Sequence, residues 1–171
     1  MTDHARTAVV VGNPKADSRT LASARILVAG LTGRKPDLVV DLATVGPALL
    51  DWSDPGVAAL VAEVGAADLV VVGSPTYKGT YTGLLKLFLD RFAGGTGLPG
   101  IAVPLMLGAG LGHALAAEHT LRPLLTELGA TVPGRALYVL DSAYDDPASY
   151  QDWLQTNRPR VERLLAARVA A

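Results

Sequence analysis

Three turns in this 171-residue sequence carry the residue types that could do chemistry. The first, GNPKADSRT over residues 12–20, lies between an apolar run and a helical pattern. At such a junction the unpaired N–H groups and the dipole of the helix favour an anion, and a phosphate fits there. Asn13 opens the turn, Ser18 and Thr20 offer hydroxyl donors, and Lys15 and Arg19 offer charge, the guanidinium in bidentate geometry. The same residues equally suit a tight turn in which Ser18 is a simple helix cap. This turn is neither Gly-x-x-x-x-Gly-Lys-Ser/Thr nor Gly-x-Gly-x-x-Gly.

The second turn, GSPTYKGTYTG over residues 73–83, offers backbone donors around Pro75, Thr76, Lys78 and Gly79, with Tyr77 as a flat amphipathic surface for a heteroaromatic ring. It is suited to holding a ring by main chain and stacking, and equally to an ordinary connection whose tyrosines pack on neighbours. The third turn, Gly108, Ala109, Gly110 and on to His113, is small and apolar, so backbone can approach a ligand closely. Lys86 and Asp90 stand one turn apart on the helical pattern that follows the second turn.

Conventional catalytic groups are missing. Ser74 is followed by Pro75 rather than set in a Gly-x-Ser-x-Gly elbow, and no paired-carboxylate motif stands out. His113 and His119 lack the carboxylates or cysteines that a metal site needs, so no metal is expected. A phosphate-and-ring site without a nucleophile suits a cofactor that does its own chemistry. Fifteen Lys plus Arg nearly cancel sixteen Asp plus Glu, without a run of like charge, which argues against nucleic acid. The absence of cysteine excludes disulfides and thiol catalysis and agrees with a reducing cytoplasm. Residues 1–7 lack the apolar segment of a signal peptide. The uncharged stretch between Arg91 and Glu118 has the length of a membrane span, but its seven glycines and two prolines predict a buried strand and a loop instead.

The elements that must position these turns alternate without a repeat or linker. Strands are expected at residues 7–11, 38–42, 68–72, 101–107 and 136–140. Helices are expected at 18–31, stopped by Gly33, at 54–66 with Asp54 as cap and Pro55 first, and at 81–92, 111–128 and 147–169. Asp145 and Asp146 read as a turn and cap for the last. Continuous apolar strands, each followed by an amphipathic helix, predict one α/β domain over residues 1–171: a three-layer sandwich on a five-stranded parallel sheet. With strand order 2-1-3-4-5 the three turns converge at the carboxyl rim where the winding reverses.

The helix expected over residues 111–128, the fourth, contains a conflict. Pro123 cannot donate to the carbonyl of His119 and crowds it, so a kink or a one-residue bulge is expected nearby. A helix simply bent to follow the sheet is the alternative.

The segments GNPKADSRT, GSPTYKGTYTGLLKLFLD and PLMLGAGLGHALAAEHTLRPLLTELGA resemble the NADPH-dependent FMN reductases of the flavodoxin-like superfamily, closest to the alkanesulfonate and methanesulfonate utilisation type. The resemblance spans residues 8–142, with Asp141-Ser142 in register. It implies that Ser18, Arg19 and Thr20 hold the FMN phosphate, that residues 75–78 line the isoalloxazine ring and that residues 108–113 close the third side. Asn13 stands where serine is more usual and Lys15 where arginine is. It further implies NADPH, or NADH, as hydride donor, Lys78 in an electrostatic role, and a separate flavin-dependent monooxygenase as recipient. His119 stands where relatives carry a π-helical bulge at a tetramer interface, which implies a homodimer or homotetramer joined through that helix. A quinone, azo or chromate reductase and an FMN-binding electron carrier share the fold and cofactor and remain alternatives.

Overall fold

The computed structural model describes residues 4–169. Met1 to Asp3, within the stretch expected to lack a signal peptide, and Ala170 and Ala171, at the end of the expected domain, lie outside the described residues. Five parallel strands form one sheet, as the alternation of elements predicts, and its order is the expected β2-β1-β3-β4-β5 of a flavodoxin-like fold. They are β1 (Thr7–Val11), β2 (Leu38–Asp41), β3 (Leu69–Pro75), β4 (Ile101–Gly108) and β5 (Leu137–Leu140). Between and after them run α1 (Arg19–Thr32), α2 (Leu42–Val45), α3 (Pro55–Gly65), α4 (Gly83–Leu89), α5 (Arg122–Glu127) and α6 (Ala148–Val169).

The central strands are apolar along their whole length because both faces are covered. On β1, Val9 and Val11 join Leu21, Leu27 and Leu31 of α1 and Tyr150 and Val161 of α6. Ala8 and Val10 face the other way, toward Val57 and Val64 of α3, Phe88 of α4 and Leu125 of α5. Strand alternation thus sends successive side chains into two cores.

Local signals set the helix ends. The Ser18 hydroxyl accepts from the Leu21 N–H, and Gly33 closes α1 at φ 71°, a left-handed position that glycine takes without steric cost. Asp54 caps α3 over Pro55, and the Asp146 carboxylate accepts from Ala148 N–H at 2.9 Å at the start of α6. Pro104 is tolerated inside β4 because of register. Ala102 N–H donates toward Thr131 at 3.0 Å, so by alternation the missing donor at position 104 faces the same side. There β5 begins its pairing only at Leu105 with Leu137.

Four stretches differ from expectation, one being the helix expected over residues 111–128, which opens as a 3-10 turn, Leu111–His113, and is regular α-helix only in α5. β3 runs on through Gly73 and Ser74 to Pro75, because β4 continues to Leu107 beside it and pairs each added residue. Leu42, expected to end the second strand, and residues 43–50, expected as loop, form α2 and a 3-10 stretch, Gly46–Leu50. Asp41 caps α2, and Arg91 donates to the carbonyls of Leu49, Asp51 and Trp52 at 3.0, 2.5 and 3.0 Å, pinning the segment that follows. Finally α4 is shorter than residues 81–92, since Thr82 rather than Tyr81 caps it and tighter turns take over at Arg91 and Phe92.

Candidate functional site

The chain leaves β1 for one edge of the sheet and β3 for the other, so the turns after these strands meet at the reversal point. They are joined by buried hydrogen bonds. Gly12 N–H donates to Gly73 O at 2.9 Å, and the Thr82 hydroxyl donates to Gly12 O at 2.5 Å while accepting from Leu85 N–H at 3.1 Å. The Ser74 hydroxyl accepts from Thr82 N–H at 3.0 Å and donates to Pro75 O at 2.8 Å. Only glycine fits at position 12, since a Cβ would lie 2.3 Å from that of Leu85.

In the first turn the Asn13 side chain accepts from Lys15 N–H at 2.9 Å and donates to the Thr20 hydroxyl at 3.1 Å. Asp17 sits at φ 48°, uncommon for a residue with a Cβ, and its N–H is held at 2.9 Å by Asp41. Thr20 is 1% exposed, and its hydroxyl is taken up by the Asn13 amide, so it is not the outward donor the sequence suggested. Among the described residues the N–H groups of Ser18, Arg19 and Thr20 have no acceptor, as the first turn of a helix leaves them. Those of Ser18 and Arg19 border a 390 Å³ cavity lined by Asn13, Lys15, Asp17, Ser18, Arg19, Tyr77 and Asp141, and Thr20 lies behind them. Within that lining Arg19 bonds the Asp141 carboxylate at 2.5 Å, its guanidinium 5.7 Å from the centre of the Tyr144 ring.

The second turn is a miniature hairpin. Tyr77 N–H donates to Thr80 O at 2.9 Å and the return bond is 3.3 Å, with Lys78 and Gly79 at φ 55° and 81°. Two successive positive φ values define a type I′ turn, which Gly79 accepts freely and Lys78 does not. Its effect is to leave Tyr77 53% exposed beside the cavity. Thr76 N–H is anchored on Leu107 O at 2.6 Å. The third turn comes alongside, since a Cβ on Gly79 would lie 3.9 Å from the His113 ring.

Tyr138 of β5 supports that third turn, donating to Gly110 O at 2.6 Å, and a Cβ on Gly108 would meet its hydroxyl at 2.0 Å. Burial pushes the Tyr138 phenol up, partly offset by the nearby Thr76 hydroxyl, and so keeps it a neutral donor. The Thr76 Oγ1 is itself buried and finds no partner of hydrogen-bond geometry. Gly108, Ala109, Gly110 and His113 are not among the residues lining the 390 Å³ cavity; they reach the rim from the far side of the hairpin. Asp17, Asp141 and Tyr138 were not expected at the site. Only the Asp141-Ser142 pair following the last apolar strand pointed toward one of them.

Comparison with known proteins decides the family. A family model described as NADPH-dependent FMN reductase matches residues 5–145. The chain belongs to this family. It is therefore an oxidoreductase, and its cofactors are FMN and a nicotinamide nucleotide. The NADH-dependent FMN reductase SfnF of Pseudomonas putida is 31% identical, covering 94% of this chain and 89% of that protein. The FMN reductase (NADPH) of Pseudomonas aeruginosa is 32% identical over 99% of this chain and 93% of its own length. Among solved structures, an apo NADH:FMN oxidoreductase (EMOB) superposes with a TM-score of 0.81 at 24% identity, over 95% of this chain and 89% of that one. A flavodoxin from the domain Archaea does so at 0.58 and 17%, over 92% and 98%. These likenesses show the flavodoxin-like fold.

In this FMN reductase family member the bulge expected near Pro123 takes a definite form. Residues Ala117–Leu121 make a π-helical turn in which Arg122 N–H reaches back to Ala117 O. The widened turn relieves the clash that Pro123 would otherwise impose on the His119 carbonyl. It leaves His119 exposed and turns Glu118 inward, where one carboxylate oxygen pairs with Arg122 and the other accepts from Ala136 N–H at 2.7 Å. Burial pushes the Glu118 carboxyl up, but the Ala136 and Arg122 hydrogen bonds outweigh it and hold the group below its usual range. Its contribution to stability is thus present above the ordinary glutamate pKa and is lost as pH falls through the lowered folded value. None of the described helices is long and apolar enough to cross a membrane.

Proposed function

We propose that this chain, as a single flavodoxin-like domain in the cytoplasm, reduces FMN with NADPH or NADH and releases it to a separate flavin-dependent monooxygenase, in sulfonate sulfur use. The observation that carries this reading is the 390 Å³ cavity whose lining combines unpaired N–H groups, two cations and an exposed tyrosine. The donor set suits a phosphate monoester: N–H groups of Ser18, Arg19 and Thr20, with Lys15 and Arg19 for charge and Asn13 holding the turn. Pro75, Thr76, Tyr77, Lys78 and Gly79 would line the ring, and Gly108, Ala109, Gly110 and His113 would close the third side. The unsatisfied Thr76 hydroxyl is a polar group in want of a partner at that wall.

When bound, FMN supplies the redox chemistry, taking a hydride from the nicotinamide and carrying the electrons onward. The residues of the chain orient and stabilise. Main-chain donors of the hairpin fix the ring edge, and the Lys78 ammonium, without an ion pair among the described residues, favours negative charge developing there. The chain would assemble as a homodimer or homotetramer through the segment bearing exposed His119, beside Leu111 and Leu115, which are 72% and 53% exposed.

The test is nucleotide oxidation by the purified protein with FMN, riboflavin and a quinone, together with flavin binding by fluorescence. FMN should be reduced faster than quinone, and Arg19→Ala should weaken FMN binding about tenfold or more while leaving riboflavin unchanged, the loss of a charge-assisted bond. No nucleotide oxidation on adding FMN would refute the reading.

A further inference from the structure

We infer that Asp141 is a positioning residue that competes with the flavin phosphate for Arg19 and so keeps FMN exchangeable. This rests on the phosphate-end assignment proposed above. The pair joins positions 122 residues apart, the start of α1 and the turn after β5, and both partners line the cavity. The cavity lining holds two cations, Lys15 and Arg19, and two carboxylates, Asp17 and Asp141, so the cradle is charge-balanced before any phosphate enters. A dianion arriving there gains Lys15 and the N–H groups at once. To gain Arg19 fully it must draw the guanidinium off Asp141, and it must tolerate that carboxylate alongside.

The side chains of Arg19 and Asp141 are 58% and 42% exposed, so water screens the pair and its rupture is easy. Asp141 therefore acts as a graded opponent and not as a lock. The Tyr144 ring beside the guanidinium keeps Arg19 at the cavity when either partner leaves. Such a device suits an enzyme that must give its flavin away.

Dissociation constants for FMN and for riboflavin, which lacks the phosphate, are to be measured by flavin fluorescence on the full-length wild type, Asp141→Asn, Arg19→Ala and the double variant, with circular dichroism melts to confirm folding. Removing the carboxylate should tighten FMN roughly three- to tenfold and slow its dissociation accordingly, the screened pair and the like-charge repulsion both being relieved. Riboflavin affinity should not move, and in the Arg19→Ala background the gain should shrink. Unchanged or weakened FMN binding in D141N, an equal change for riboflavin, or an undiminished gain without Arg19 would each overturn the inference while the cradle stands. A wild type that binds FMN no better than riboflavin would instead bring down the phosphate assignment and the inference together.

Discussion

The turn after β1 and the turn after β3 lie side by side at one rim but are built by opposite means. The first sets a buried Ser18 cap at 3.3 Å and a part-buried Asn13 brace behind two exposed contacts, the Asp17–Asp41 bond and the half-exposed Arg19–Asp141 pair. The second is rooted in the core, where Ser74 is fully buried and Thr82 ties Gly12, Ser74 and Leu85 into one cluster. Water screens the Asp17–Asp41 bond and the Arg19–Asp141 pair, whereas the second set is made where an unpaired polar group is costly. The difference separates two tasks. Affinity is adjustable at the charged end, and ring geometry is fixed at the packed end.

The largest expected effect strikes the joint between the two. Gly12→Ala would place a Cβ 2.3 Å from Leu85 Cβ and 2.7 Å from Leu85 Cα, contacts that only backbone movement can relieve. A loss of about 3 kcal/mol or more is expected from such overpacking, read as a fall in the urea midpoint. A near-wild-type midpoint would show that the rim yields, and the contrast between a fixed and an adjustable end would fail.

A matched pair of cap substitutions sharpens the comparison. Thr82→Val removes both the α4 cap and the only side-chain donor to the buried Gly12 carbonyl among the described residues, for about 2–3 kcal/mol. Ser18→Ala removes one 3.3 Å cap bond, for about 0.5–1 kcal/mol. Thermal melts of the two variants should differ in that order. Equal losses would mean that the charged end is as firmly built as the packed one.

What the sequence disclosed about these ends follows the range of each interaction. Ser18, Gly33, Asp54 and Pro55 act on backbone within a turn of themselves, so the helices they bound were legible. The parallel sheet followed from alternation while its strand order came with the family resemblance, and Pro123 betrayed the π-helical turn because its clash with position 119 is local. Pro75 misled, since a proline read locally ends a strand, while here the partner strand β4 carries β3 past it. Asp141 stood out only through its register with the family and not as a partner of Arg19, 122 positions away, and Tyr138 was silent because its role is to support Gly110 from the next strand. The turn residues that face the cavity were therefore visible, and the groups that set their charge and support were not.

The smallest effect concerns Lys78, the one residue of the packed end whose backbone opposes its own conformation, at φ 55° beside Gly79. Asparagine occupies that region more readily than lysine, so Lys78→Asn should raise stability by about 0.5 kcal/mol rather than lower it. If its ammonium serves the ring, the same substitution slows reduction of FMN and of riboflavin by a similar factor, roughly threefold to tenfold for one screened charge. That pattern is the converse of the one expected at Arg19, where only the phosphorylated flavin is affected. Steady-state rates with both flavins distinguish them: an effect of Lys78→Asn confined to FMN would move Lys78 to the phosphate end and erase the division between the two turns.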